Sequence, residues 1–283
     1  MHAMAVLLAL SAALAWGCSD FIGGVASRRI GTLTVLMLVE LGGLIVGAIL
    51  CVLFAPALPP AADVLQLLGA GLLGVAGLGL FYHAMAIGTM SVVAPVAGSG
   101  VVLPVAVGVV GGDRPSAIQW AGLAAVVFGV MLASREQSDV PADAEAQRRA
   151  LLLALVAAIC FGSFFVLLEG PAKESALWAA LLIRVAPIPV LIAFWVRAGR
   201  KLPAPRITAG LLAAGTIDLL ATTLIALATA RGELSIVSVL ASMYPVVTVL
   251  LAAIVLHERL LKSQYVGVAL ALAGVIAVAG TAT

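Results

Sequence analysis

Four ionisable side chains interrupt long apolar stretches of this sequence, and their chemistry sets the first question about it. Arg184 lies in AALLIRVAPIPVLIAFW, Glu40 in LMLVELGGLIVG and Asp218 in GTIDLLATTLIALAT, while Asp20 follows Trp16 by one helical turn. An unpaired charge among apolar side chains in a membrane costs about 3 kcal/mol or more, so each is expected to have a partner or a polar ligand. Carboxylates bind ammonium groups and carry protons, and a guanidinium binds carboxylates.

The roles of the three acids stay open at this point. Asp218 shares a helix face with Thr222 and is predicted to be a proton carrier or amine ligand, or else a hydrogen-bonded structural acid. Asp20 lies close to a pair of arginines, so it is either solvated at the helix end or part of a substrate site. Asp218, Glu40 and Asp20 are the candidates for proton coupling.

Further polar and aromatic residues are candidates for the wall of a substrate cavity. The fourth and ninth predicted helices each have small residues along one face, with Ser99 on the first and Ser242 on the second. These small residues either keep a cavity open or let helices pack closely. His83 is either a ligand or a hydrogen-bonded packing residue. The candidate wall residues are Trp16, Tyr82, His83, Ser99, Phe161, Thr222, Ser242 and Tyr244.

The composition is that of an integral membrane protein. Of 283 residues, 64% are hydrophobic and 10% are charged, whereas soluble domains carry about 25% charged residues. Apolar windows of about 20 residues, the length that spans a bilayer, follow one another along the chain. They predict ten transmembrane helices near 5–26, 33–54, 64–86, 90–111, 117–133, 150–168, 176–196, 208–229, 234–256 and 263–280. The three cysteines have no metal-ligand spacing, so neither a metal site nor a cofactor is predicted.

The chain contains an internal duplication at a shift of 144 or 145 residues. The three matched pairs of segments are 7–17 with 152–162, 88–97 with 232–241, and 113–130 with 258–275. Residues 1–134 and 150–283 are therefore predicted to be two repeats, with 135–149 as a polar linker. Each repeat has five helices, an odd number, so the second copy must cross the membrane in the opposite sense. Inverted repeats are typical of secondary transporters, whose substrate site lies near the midplane.

Positive charge in the loops predicts the orientation. Eleven lysines and arginines lie in loops after odd-numbered helices, against three (Arg114, Lys173 and Arg231) after even-numbered ones. The positive-inside rule then places the linker in the cytoplasm and both termini outside a bacterial inner membrane.

The duplication also pairs two of the charged residues. At a shift of 144, Glu40 of the second helix corresponds to Arg184 of the seventh, each near the centre of its helix. The two are predicted to serve each other across the pseudo-twofold axis. They form either a static clamp between the repeats or a pair that opens to meet the charged ends of a zwitterionic substrate; the remaining alternative is that they make no contact.

The repeat endings resemble a known family. Asp113, Gln119, Gly122 and Gly129, the equivalent Glu258, Gln264, Gly267 and Gly274, and the Trp-Gly pair at 16–17 are similar to the EamA-type domains of the drug/metabolite transporter superfamily. The resemblance implies a ten-helix carrier, often an exporter of amino acids or related metabolites, with the fifth and tenth helices outside the substrate path. In that family the second and seventh helices often each carry an arginine, whereas here the second carries Glu40.

Together these patterns predict a secondary transporter, not an enzyme, that exports amino acids, aromatic ones among the candidates. The alternatives are a channel-like facilitator and a carrier of nucleosides, sugars or drugs. His257-Glu258 lacks the second histidine of a zinc-protease helix, and no phosphate-binding loop is present. The expected partners are a small-molecule substrate and the lipid bilayer, with no nucleic acid, and the protein is expected to be a monomer or weak dimer.

Overall fold

The computed structural model of the protein describes residues 2–87, 96–133, 144–255 and 261–280, and the regular structure in these residues is entirely helical. In chain order the helices are α1 (His2–Ile30), α2 (Thr32–Phe54), α3 (Ala61–Ile87), α4 (Val102–Gly111, after a 3-10 turn at Ser99–Val101), α5 (Ala117–Ala133), α6 (Ala144–Glu174), α7 (Ala176–Val185), α8 (Pro187–Arg197), α9 (Pro205–Thr229), α10 (Leu234–Ala241), α11 (Tyr244–Val255) and α12 (Lys262–Gly280). The predicted all-α fold is confirmed.

Six apolar segments of the described chain are long enough to cross a bilayer. They are Ala3–Ser27, Thr32–Phe54, Ala61–Phe81, Arg148–Glu174, Ala176–Arg197 and Pro205–Thr229, and shorter apolar helices cover Val96–Gly111, Ala117–Leu132 and Lys262–Val278. The start of the fourth predicted helix and the end of the ninth lie outside the described residues.

Two predicted helices are broken near their middles. The seventh consists of α7 and α8, which meet at Ala186, and the ring of Pro187 is the physical reason, because a proline cannot donate the next helical hydrogen bond. The ninth consists of α10 and α11, where the Ser242 N–H still bonds to Ser238 but the Met243 N–H bonds to Leu240 in a tighter turn. Ala186 keeps right-handed helical backbone angles, so α7 and α8 form one apolar span whose hydrogen-bond ladder is interrupted.

The sixth helix is longer than predicted and begins inside the predicted linker. It runs from Ala144 to Glu174 rather than from 150 to 168. Ion pairs four residues apart, Glu145 with Arg149 and Glu169 with Lys173, lie in its two extensions. Such pairs stabilise exposed helical turns, which explains why polar residues at both ends remain helical.

The matched repeat endings pack against each other in the antiparallel sense. A Cβ atom at Gly122 of α5 would lie 2.8 Å from the carbonyl oxygen of Gly274 of α12, and one at Gly129 would lie 2.7 Å from that of Gly267. Residue numbers therefore rise along α5 as they fall along α12. Because α5 and α12 are equivalent helices of the two repeats, their antiparallel contact agrees with the inverted topology.

The repeat-ending glutamines also make the same local contact in both repeats. Gln119 Oε1 accepts a hydrogen bond from the N–H of Ser116, and Gln264 Oε1 accepts one from the N–H of Leu261, each at 2.7 Å. Each glutamine therefore satisfies a free N–H at the start of its own helix. This contact gives a physical reason for glutamine at both equivalent positions.

The two halves of the helical bundle are packed differently. We call the half that contains residues 2 and 280 the terminus side, and the opposite half the linker side. On the terminus side one continuous hydrophobic cluster joins both repeats, and it includes Ala5, Ala9, Leu67, Leu168, Ala179, Ile225, Val237 and Val278. On the linker side the described residues form two separate clusters, one from α2, α8 and α9 and one from α3, the segment before α4, and α6. Among the described residues, the largest hydrophobic cluster therefore joins the two repeats at the terminus side.

Candidate functional site

The site is built around Arg184, whose side chain is 1% exposed. It lies in the last turn of α7, where α7 meets α2 and α9. A Cβ atom at Gly43 of α2 would lie 2.5 Å from Arg184 Nε, and one at Gly215 of α9 would overlap the carbonyl oxygen of Val39. Glycine at these two positions therefore lets α2 and α9 approach each other closely and leaves a slot for the guanidinium.

The guanidinium of Arg184 is held by hydrogen bonds to α7 and α9. Its Nη2 donates to a carboxylate oxygen of Asp218 and to Thr222 Oγ1, the latter at 3.1 Å, and its Nη1 donates to the carbonyl oxygen of Ala180. The Thr222 hydroxyl in turn donates to the carbonyl oxygen of Asp218 at 3.0 Å. These contacts fix the plane of the guanidinium, because an arginine presents its donors in a rigid fork.

Glu40 makes a looser contact with the same guanidinium. Its Oε2 lies 3.7 Å from Arg184 Nε, within ion-pair distance. That buried Nε has no hydrogen-bond partner among the described residues. The contact predicted between Glu40 and Arg184 is therefore present, and the alternative of no contact is wrong, but the tighter partner of Arg184 is Asp218.

The side chains of the two carboxylates are more exposed to solvent than the side chain of the arginine. The side chains of Glu40 and Asp218 are 16% and 20% exposed, against 1% for Arg184. The carboxylates are therefore less buried than the arginine that they contact.

Asp20 of α1 adds a third carboxylate. The neighbouring Ser19 donates a hydrogen bond at 3.3 Å to the carbonyl oxygen of Ala214, one turn before Asp218 on α9. Asp20 is close enough to Asp218 and to Tyr244 to interact with both electrostatically. We call Asp20, Glu40, Arg184 and Asp218 the charged cluster, and with every group ionised it carries three negative charges and one positive charge.

Aromatic rings lie beside the charged cluster. The ring of Trp16 contacts Phe165 edge to face at a centroid distance of 6.1 Å, and Tyr244 at 6.4 Å. Trp16 precedes Asp20 by four residues on α1, so both side chains lie on the same helix face. Tyr244 begins α11, directly after the break in the ninth predicted helix. An apolar surface and carboxylates thus adjoin at the centre of the bundle.

Several predicted wall residues do not join this group. Phe161 packs with Phe81 on α3 at 6.3 Å, and His83 is exposed near the end of α3. The hydroxyls of Ser99 and Ser242 donate to carbonyl oxygens of their own segments, at 2.6 and 2.7 Å. The side chain of Tyr82 lies outside the described part of the structure. The structure therefore brings together Trp16, Asp20, Glu40, Arg184, Asp218, Thr222 and Tyr244.

Comparison with known families decides the class of protein. The model of the EamA-like transporter family matches residues 3–135 and again residues 148–280, one match for each repeat. The chain belongs to the EamA-like transporter family. It is therefore a multi-pass membrane transporter of small molecules.

Known structures agree with the fold of this EamA-like transporter. A solved structure titled "Crystal structure of protein" superimposes with a TM-score of 0.82 and 16% sequence identity, covering 98% of this chain and 96% of the other. At that identity the match shows the fold alone. A comparison with curated proteins finds no match.

Sequence reasoning missed two features of this EamA-like transporter. It did not pair Asp218 with Arg184, and it gave no role to Gly43, although Gly43 lies three residues after Glu40 in the sequence. Glycines beside both intramembrane acids, at 43 and 215, were the available signal that two helices approach at the arginine. Within the described residues, no three His, Cys, Asp or Glu side chains are arranged to hold a metal ion.

Proposed function

We propose that this transporter is an alternating-access carrier that exports small amine-bearing metabolites, with apolar and aromatic amino acids as the leading candidates. The main support for the proposal is the difference in solvent exposure between the charged side chains. Glu40 and Asp218 are partly exposed, whereas Arg184 is buried and donates three hydrogen bonds. Accessible carboxylates favour an ammonium group as the part of the substrate that binds here.

In this proposal Arg184 is a fixed counter-charge. A substrate carboxylate could bind its Nη2 atom only by displacing Asp218 or Thr222, which would leave a buried polar group unpaired. The remaining donor, Nε, is buried beside the negative charge of Glu40, which disfavours a second carboxylate there. The contact between Arg184 and Asp218 lies within the second repeat, so it is not the clamp between repeats that was predicted for Glu40 and Arg184. The duplication predicted that Glu40 pairs with Arg184. Glu40 makes no hydrogen bond to Arg184 and is therefore free to turn toward a ligand.

The inverted repeats support alternating access, because two halves of opposite orientation can open a site between them to each side of the membrane in turn. Their equivalent helices α5 and α12 pack in the antiparallel sense, as inverted repeats require. Export is proposed as the direction because the family that the sequence resembles includes exporters of amino acids.

Counterflow in proteoliposomes tests the proposal. Vesicles preloaded with unlabelled compound are given labelled L-phenylalanine, L-threonine, N-acetyl-L-phenylalanine or uridine, with and without a pH gradient. N-acetylation removes the ammonium group and keeps the aromatic body. We expect it to lower counterflow by more than about tenfold, because a site that pairs with an ammonium group rejects analogues that lack it.

The same assay has outcomes that contradict the proposal. Equal counterflow of phenylalanine and its N-acetyl derivative would exclude recognition of the ammonium group. Transport of uridine alone would point to a nucleoside carrier. The variant Glu174→Gln, at an exposed position at the end of α6, is the control for changes in charge outside the site.

A further inference from the structure

We infer that the linker-side ends of α1, α2, α8 and α9 form a binding surface for the phosphate headgroups of anionic membrane lipids. Five exposed cations make up this surface, which we call the cationic surface: Arg29, Arg197, Arg200, Lys201 and Arg206. It lies apart from the charged cluster, so lipid binding here does not depend on the identity of the substrate.

The two chain segments that carry the cationic surface lie against each other. A Cβ atom at Gly31, the residue between α1 and α2, would lie 3.4 Å from Arg200 Nη1. Trp195 of α8 donates a hydrogen bond from Nε1 to Thr34 Oγ1 of α2 at 3.2 Å. Next to these contacts, α2, α8 and α9 share one hydrophobic cluster. The cation of the first repeat, Arg29, therefore lies on the same surface as the four cations of the second.

These two segments carry no carboxylate of their own. Residues 21–39 and 175–217 contain no Asp or Glu. None of the five cations makes an ion pair with another residue of the described chain. By contrast, Arg149 of α6 pairs with Glu145, four residues earlier. Positive charge that is concentrated in this way at a membrane interface attracts an anionic partner.

Exposed apolar side chains adjoin the cations, and they favour a lipid over a soluble anion. Phe194 precedes Arg197 by three residues on α8, so their side chains lie on one helix face. Ile207 directly follows Arg206 on α9, and both are exposed. A lipid presents a phosphate to the cations and acyl chains to the apolar side chains, whereas a soluble phosphate uses the cations alone.

The beginning of α9 adds a second feature that suits a phosphate. Ala204 precedes this helix, and its side chain cannot accept a hydrogen bond from the N–H groups of the first turn. The positive end of the helix dipole therefore lies at the same interface as Arg206. A phosphate at this position is favoured by the arginine and by the uncapped helix end together.

Native mass spectrometry of the purified protein in a neutral detergent tests the inference. The probes are dioleoyl phosphatidylglycerol and dioleoyl phosphatidylcholine, which share their acyl chains and differ in headgroup charge. Wild type should bind phosphatidylglycerol more tightly than phosphatidylcholine. Arg200→Gln combined with Arg206→Gln should weaken the binding of phosphatidylglycerol by more than about tenfold, because each cation near the headgroups contributes to the attraction. The same variant should bind phosphatidylcholine as wild type does.

A matched control combines Arg148→Gln with Arg231→Gln, at two exposed cations outside the cationic surface. It removes the same total charge and should bind phosphatidylglycerol as wild type does. Arg200→Lys combined with Arg206→Lys keeps the charge and should retain binding.

Three results would overturn the inference. An equal loss of binding in the matched control would show that total charge, not this surface, attracts the lipid. Equal binding of the two lipids by wild type would show that the headgroup charge is not recognised. Displacement of phosphatidylglycerol by inorganic phosphate at the same concentration would show that the surface takes a soluble anion.

Discussion

The guanidinium of Arg184 and the carboxylate of Asp218 form the strongest contact of the charged cluster, and it joins α7 to α9. Both residues belong to the second repeat, whereas the weaker partner, Glu40, belongs to the first. The arginine therefore ties one repeat internally and attracts the other across the pseudo-twofold axis. Because Arg184 binds Asp218 more closely than Glu40, the loss of each residue should have a different effect on stability.

Loss of Arg184 should destabilise the protein more than loss of Glu40. Arg184→Gln leaves three carboxylates without a cation, and removal of one partner of a buried pair costs about 3–5 kcal/mol. Glu40→Gln removes a 3.7 Å contact that lacks a hydrogen bond, so its effect should be smaller. Thermal unfolding in detergent compares the two variants. A greater loss of stability in Glu40→Gln would contradict the order of the two contacts.

Arg184 and Asp218 should be coupled in a double-mutant cycle. Arg184→Gln leaves Asp218 without its cation, and Asp218→Asn leaves Arg184 with only the looser contact to Glu40, whereas the double variant removes both charges. The double variant should therefore be more stable than the sum of the single effects predicts. Strictly additive melting-temperature changes would show that the pair contributes nothing.

The slot for the guanidinium should tolerate no side chain at Gly43. A Cβ atom there would lie 2.5 Å from Arg184 Nε, so Gly43→Ala should lower stability by about 1–3 kcal/mol. Gly210→Ala, in α9, is the matched control, because no atom lies within 4 Å of its Cβ position. The control should leave stability unchanged or raise it slightly. Equal effects at the two positions would show that the slot is not closely packed.

Asp113 should stabilise the contact between the two repeats at the terminus side. Its Oδ2 accepts a hydrogen bond from the N–H of Ser235 at 2.9 Å, in the first turn of α10. Asp113→Ala should therefore cost about 1 kcal/mol, as the loss of a helix cap does. Thermal unfolding measures the effect, and Glu174→Ala serves as the control. No difference between the two variants would show that the cap is dispensable.

Both termini should lie outside the cytoplasm if the positive-inside rule holds for this chain. A C-terminal alkaline phosphatase fusion should be active in cells, and a C-terminal fluorescent-protein fusion should be dark. The opposite pattern would reverse the orientation and place the linker between the repeats outside the cytoplasm.

The duplication made much of the fold and one contact of the site predictable. Equivalent residues of inverted repeats meet near the pseudo-twofold axis, and Glu40 and Arg184 do so. Asp218 has no charged equivalent in the first repeat, where Leu73 and Gly74 occupy the corresponding positions. The duplication therefore could not reveal its partner, which depends on how closely α2 and α9 pack.

The helix breaks were also visible in the sequence only in part. Pro187 and Pro189 mark the break between α7 and α8, but prolines are common in transmembrane helices that stay continuous. The break before Tyr244 is followed by Pro245, which lacks an N–H as Pro187 does, but the tighter turn at Met243 is not specified by that proline alone. The prolines therefore indicated where a helix could break, and the packing of the surrounding helices determined whether the break occurred.

Calorimetric binding of two ligands with opposite charge tests most directly whether accessible carboxylates define the substrate. Phenethylamine and 3-phenylpropionate have the same aromatic body and chain length, and they differ in an ammonium or a carboxylate at the end. Wild type should bind phenethylamine and give no measurable heat with 3-phenylpropionate, because the accessible part of the site is negative. Tighter binding of 3-phenylpropionate would show that Arg184 receives the substrate, and it would contradict the proposed recognition of an ammonium group.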